Sequence, residues 1–132
     1  MSNQLPTYKQ LEKNLSRKIK VLYSEQIDYP PKKVTCKLFS RYLAIVADDP
    51  LTPIEKNLWE FGEKSLSAEI RCEINSIIKP KLVELIESII SVKIEEILSN
   101  VTFKTNKSGI LVILSEPPQV SNLELLPKTT SK

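Results

Sequence analysis

Leu51-Thr52-Pro53-Ile54-Glu55 reads as the start of a helix and divides the chain into two parts. Thr52 suits the N-cap, because its hydroxyl accepts an amide N–H that the first turn leaves unpaired. Pro53 at the first helical position forfeits no hydrogen bond there. Glu55 is placed to reach back to the Thr52 amide and complete a capping box. Leu51, just before the cap, is expected to pack against the first turns. Ile54, Leu58, Phe61 and Trp59 are expected to form the apolar side of this helix, with Gly62 either a close-packing position or a weak point.

Before this point the chain alternates in period. Tyr8, Leu11, Leu15, Ile19 and Leu22 recur at spacings of three and four, which predicts a helix over residues 7–26. Tyr29-Pro30-Pro31 ends it. Val34, Cys36 and Leu38 then share one parity, the period of a strand. Tyr42–Ala47 is almost wholly apolar and completes an antiparallel hairpin, with its strand more buried than the first.

After it, Ile70, Ile74, Ile77 and Ile78 continue a helical period, and Leu82, Leu85, Ile86, Ile89 and Ile90 resume it beyond Pro80. Pro80 either kinks one helix or divides two. Val92–Leu98 fits either a helical extension or the opening of a strand running to Phe103. Asn106-Lys107-Ser108-Gly109 reads as a turn, Ile110–Leu114 as a buried strand, and Pro117-Pro118 as its end.

The expected fold is therefore α+β in the order α-β-β-α-(α)-β-β. Two hairpins form one four-stranded, mainly antiparallel sheet with helices packed on it. Residues 1–116 make a single domain and 117–132 a polar, disordered tail. The apolar runs Leu43–Ala47 and Ile110–Leu114 lead us to expect cover on both sheet faces.

The 132 residues carry a formal charge of +3, with 9 prolines, 2 glycines and no histidine. Charge is segregated. Residues 1–50 hold 9 basic and 5 acidic groups, residues 51–99 hold 6 and 9, and residues 100–132 hold 4 and 2. Without histidine the commonest general base and neutral metal ligand are missing. Two isolated cysteines, Cys36 and Cys72, form no metal-binding or redox pair and are expected as buried thiols. Two glycines cannot build a dinucleotide or phosphate loop. Asp48-Asp49 and Glu95-Glu96 are expected to be surface carboxylates. No catalytic residue, cofactor or metal is assigned.

Lys9, Lys13, Arg17 and Lys20 form a cationic stripe on the first helix, joined by Lys32 and Lys33. With Arg71, which stands inside an apolar repeat and either sits at the edge of its helix or, partly buried, pairs with Glu55, Glu63 or a carboxylate across an interface, they are the candidate interaction surface. A phosphate backbone would be met there with a steep salt dependence and little sequence preference. The acidic middle of the chain argues against tight nucleic-acid binding. No run is long enough to span a bilayer, which places the chain in the cytoplasm as the default.

Leu51-Thr52-Pro53-Ile54-Glu55-Lys56-Asn57-Leu58 resembles the LTPxEKxL motif of the DUF2294 family, also called the MpsC domain. The resemblance runs from about Leu15 to Leu114. Lys33-Val34-Thr35 through Val46 is similar to the paired strands before the motif. Arg71 falls at the arginine of the following helix, and Ile110–Leu114 at the closing strand. The glycine that members carry before the third strand is absent, and Ile90-Ser91-Val92-Lys93 stands there. The resemblance implies the α+β fold and an association with a sodium-linked, membrane-potential-generating system. The residues themselves lead us to expect a non-enzymatic protein-interaction module that homodimerises. A nucleic-acid binder using the basic helix, or a peripheral component of a membrane system, are the alternatives.

Overall fold

The computed structural model describes residues 5–121. Elements follow in the order α1 (Tyr8–Ile27), β1 (Lys33–Phe39), β2 (Tyr42–Asp48), α2 (Pro53–Glu60), α3 (Lys64–Ile90), β3 (Ile94–Thr102) and β4 (Lys107–Leu114). The four strands form one antiparallel sheet in the order β1-β2-β4-β3. Each hairpin supplies one central and one edge strand, and β2 and β4 meet in the middle.

One face of the sheet carries the core. Val34, Cys36 and Leu38 from β1, Leu43 and Ile45 from β2, and Ile110, Val112 and Leu114 from β4 all point to it. Leu11, Leu15, Ile19 and Tyr23 from α1 and Ile78, Leu82, Ile86 and Ile90 from α3 close over them. Their regular four-residue spacing keeps them on one side of each helix. Each such side chain is worth about 1.5–3 kcal/mol when taken out of water. Among the described residues no element covers the opposite face. The expected double cover is thus absent, and β4 alternates buried and accessible residues along its length.

Helix α1 starts at Thr7, whose hydroxyl accepts the Gln10 N–H at 3.1 Å while the Gln10 side chain accepts the Thr7 N–H at 2.9 Å. Helix α3 runs unbroken through Pro80. Pro80 is exposed, so the Ser76 carbonyl it leaves without an amide partner has access to water.

Helix α2 is short because Gly62, at φ +87°, reverses the chain after it. Its expected apolar side faces outward: Ile54 and Phe61 are exposed, Phe61 at 82%. The buried residue of α2 is instead Glu55. Its partners lie on the inward side and rotate Ile54 and Phe61 away from the core.

Residues 92–98 resolve as the approach to and first part of β3, not as helix. Ser91 ends α3 in the left-handed region, with φ 62° and ψ 33°. This is the conformation that glycine adopts most cheaply, at the place where the family's glycine was expected. The expected turn at 106–109 moves to residues 103–106, and Lys107, Ser108 and Gly109 belong to β4. Asn106 takes the positive φ, 55°, which its short polar side chain tolerates. Phe103 consequently leaves the strand and stacks on Trp59, with ring centroids 4.7 Å apart.

The tail expected from residue 117 is described only to Ser121. Val120 packs against the core and the Ser121 N–H reaches the Pro6 carbonyl at 3.0 Å. The rest of that expectation, residues 122–132, lies outside the described residues.

Candidate interaction surfaces

The motif at the start of α2 is the best-connected polar site in the fold. The Thr52 N–H and hydroxyl each donate to Glu55 Oε1 at 2.9 Å. Arg71, two turns into α3 on its inward face, donates through Nε to Glu55 Oε2 at 2.7 Å and through Nη2 to Oε1 at 2.8 Å. The same Nη2 reaches the Pro50 carbonyl at 2.9 Å. Ser67 Oγ donates to the Glu55 carbonyl at 2.8 Å. Asn106 ties in the β3–β4 turn, because its Oδ1 accepts the Leu51 N–H at 3.0 Å and its carbonyl accepts the Asp49 N–H at 3.0 Å.

Glu55 is fully buried and Arg71 nearly so. Forked pairing satisfies both charges without water. Arg71 therefore does not join an outer surface: its guanidinium is engaged inside, where it locks α2 onto α3. Of the partners the sequence offers Arg71, the structure takes Glu55; spacing alone does not choose it, since Arg71 follows Glu55 by sixteen residues across a helix break.

The cationic residues separate into different settings. Lys9 and Lys13 on α1 line an open groove of about 460 Å³ along the edge of β1, where Lys33 and Lys37 border it from positions that turn away from the core. Glu12 lies in the same groove, and its Oε2 accepts the Leu38 N–H at 2.7 Å. In an antiparallel pair, alternate residues turn their amides away from the partner strand, so Glu12 occupies one such amide on the sheet's edge. Lys20 Nζ is bound to the Lys32 carbonyl at 3.0 Å. Arg17 turns to Asn14 Oδ1 at 2.9 Å and lies toward the α1–α3 side with Lys18 and Leu85. The regular stripe thus splits, and Lys37, absent from the expected set, borders the same groove as Lys9 and Lys13.

Burial pushes the Cys36 thiol up to about 11, despite its contact with Ser16. Burial likewise raises the Tyr23 hydroxyl, with the nearby Arg71 charge acting the other way. Cys72, expected in the core, is exposed. It sits one residue round the helix from inward-facing Arg71. Asp48 pairs with Lys107 at 3.0 Å and Glu95 with Arg41 at 3.5 Å. Tyr23, Asn75, Ser99 and Ser108 help line a cavity of about 60 Å³, room for a few waters. No group of three or more acidic, cysteine or histidine residues able to hold a metal occurs among the described residues.

Residues 7–116 match the family described as Na+-translocating membrane potential-generating system (MpsC). The chain belongs to the MpsC family. The matched span starts at the α1 N-cap and ends just past β4, so it takes in every helix and strand described above. No curated protein and no solved structure matches the chain. In this MpsC chain, no helix among the described residues is long and apolar enough to cross a membrane.

Proposed function

We infer that the chain is a non-catalytic, peripheral component of a membrane-associated, sodium-translocating system, held there by contact with another protein. The family match over residues 7–116 carries this reading. The residue inventory supports it, since the chain has no histidine and its most elaborate polar cluster, Thr52–Glu55–Arg71, is consumed in holding α2 to α3. Ion movement would then belong to a partner that spans the bilayer, because a charge needs a lined path through it.

Contact with protein is favoured over adsorption to lipid. Lys20 is bound to a backbone carbonyl and Glu12 sits among Lys9 and Lys13, which weakens attraction to an anionic surface. Ile54 and Phe61, seven residues apart on one side of α2 and its C-cap, expose apolar surface suited to a protein partner.

The test is fractionation of cells that make the whole system, run beside flotation with protein-free anionic vesicles. The chain is expected to sediment with cell membranes and to stay behind when the vesicles float. Recovery only in the supernatant of such cells contradicts the reading. Flotation with bare vesicles at about 0.15 M salt contradicts the choice of protein over lipid.

A further inference from the structure

We propose that the uncovered sheet face seats a second copy of this chain, in a dimer whose two-fold axis runs along the strands. The middle of that face is apolar. Val46 is 46% exposed, Leu98 51% and Leu111 38%. They surround, with Ala44, a shallow depression of about 390 Å³. Gly109 forms its floor, level with Val46 on one side and Asn100 on the other. A Cβ at Gly109 would meet nothing within 4 Å, so the hole stands open above the strand. A glycine in a central strand weakens it and often marks the close approach of another surface.

The edges of this face differ in charge, and between them Asp48 and Lys107 neutralise each other across the central strands at 3.0 Å. Lys33 and Lys37 stand on β1, and Glu96 stands on β3, opposite Ile113. Two sheets stacked face to face by a two-fold have two arrangements. An axis across the strands lays β1 on β1 and brings four lysines to one rim. An axis along the strands lays β1 over β3 of the second copy and β2 over its β4, so that basic and acidic rims meet.

The second arrangement permits no sliding along the strands, and the sheet register then fixes every opposition. Val46 comes over Gly109 of the second copy, and Ala44 over its Leu111. Large side chains meet a hole or a small residue, as interdigitation of two sheets requires. Phe39 comes level with Glu96 of the second copy, and Lys37, one step along β1, is within reach of it. The face spans four strands at ~4.8 Å and seven residues at ~3.4 Å, about 450 Å² of flat projection per copy. Side-chain relief raises the buried area above that, toward the roughly 600 Å² per partner at the low end of specific interfaces.

Sedimentation velocity on the full chain from about 1 to 100 μM tests the proposal, with circular dichroism confirming that each variant is folded. The wild type is expected to convert from monomer to dimer across this range. Gly109→Arg fills the depression from a position with open space above it and is expected to leave only monomer. Lys37→Glu and Glu96→Lys, both at exposed edge positions, are each expected to weaken the dimer about tenfold at low salt, and their combination to restore it. Monomer throughout, or a dimer indifferent to Gly109→Arg, overturns the proposal. Charge reversals that add instead of compensating overturn the axis.

Discussion

Glu55 and Arg71 show how one residue pair sets the geometry of a whole element. A carboxylate buried with its guanidinium partner is tolerable only while both are present. Glu55→Gln leaves the Arg71 charge inside α3 without its counterion, at a cost of about 3–5 kcal/mol in denaturant unfolding. Thr52→Ala removes one hydroxyl from the same carboxylate and one cap, at about 1 kcal/mol. Ser91 offers the opposite case. Its left-handed φ of 62° carries a steric cost that glycine escapes. Ser91→Gly is expected to raise stability by up to about 1 kcal/mol, read in the same unfolding experiment. The Cys36 thiol, pushed up to about 11 from 9.0 by burial, couples stability to alkaline pH. The folded chain holds this proton more tightly than the unfolded chain, so its contribution is complete below pH 9. That contribution falls as pH rises toward 11 and is lost beyond it. Thiol titration of the native chain at pH 8 should modify Cys72 quickly and Cys36 only on unfolding.

Elements differ in how openly the sequence announces them. Helices α1 and α2, and the hairpin of β1 and β2, are legible because each combines a period with an explicit stop or cap: Thr7, Thr52-Pro53 and Tyr29-Pro30-Pro31. The start of β3 is illegible locally, since Ile94, Ile97 and Leu98 satisfy a helical spacing as well as an irregular strand. The bulge between Ile94 and Glu96 shifts the alternation that would have revealed it. The last turn is misread because Gly109 attracts a turn assignment, whereas here it lies flat within β4 and Asn106 makes the bend. The inward side of α2 is hidden for a different reason. Apolar spacing favours Ile54 and Phe61, but a charge that finds a buried counterion outweighs them, and that counterion stands sixteen residues away. Of the candidate surface, Lys9 and Lys13 share a helix face by their spacing, while Lys33 and Lys37 border the same groove only because β1 runs beside α1. Pro80 also belongs to this scale. It lies on the exposed side of an unbroken α3, so Pro80→Ala should restore one backbone hydrogen bond without disturbing the core. A rise in stability of about 1–3 kcal/mol is expected, and a fall would show that the proline shapes the packing of α3.

At the scale of the whole molecule, a one-sided sheet joins a catalytically plain interior to two exposed apolar regions. One is the outer sheet face around Gly109, and the other is the α2 patch around Phe61. They lie on different elements, which lets self-association and attachment to a membrane partner proceed on separate surfaces. Phe61→Ser is therefore expected to weaken membrane recovery while leaving the sedimentation behaviour unchanged. In the function proposed, the chain serves a sodium-translocating system without moving ions itself. The most direct test of that function is the sodium-driven membrane potential of vesicles made from cells that carry the rest of the system but lack this chain, followed with a voltage-sensitive dye. A diminished potential is expected, which purified chain restores and Phe61→Ser restores poorly. A full sodium-driven potential in vesicles lacking the chain would contradict that function.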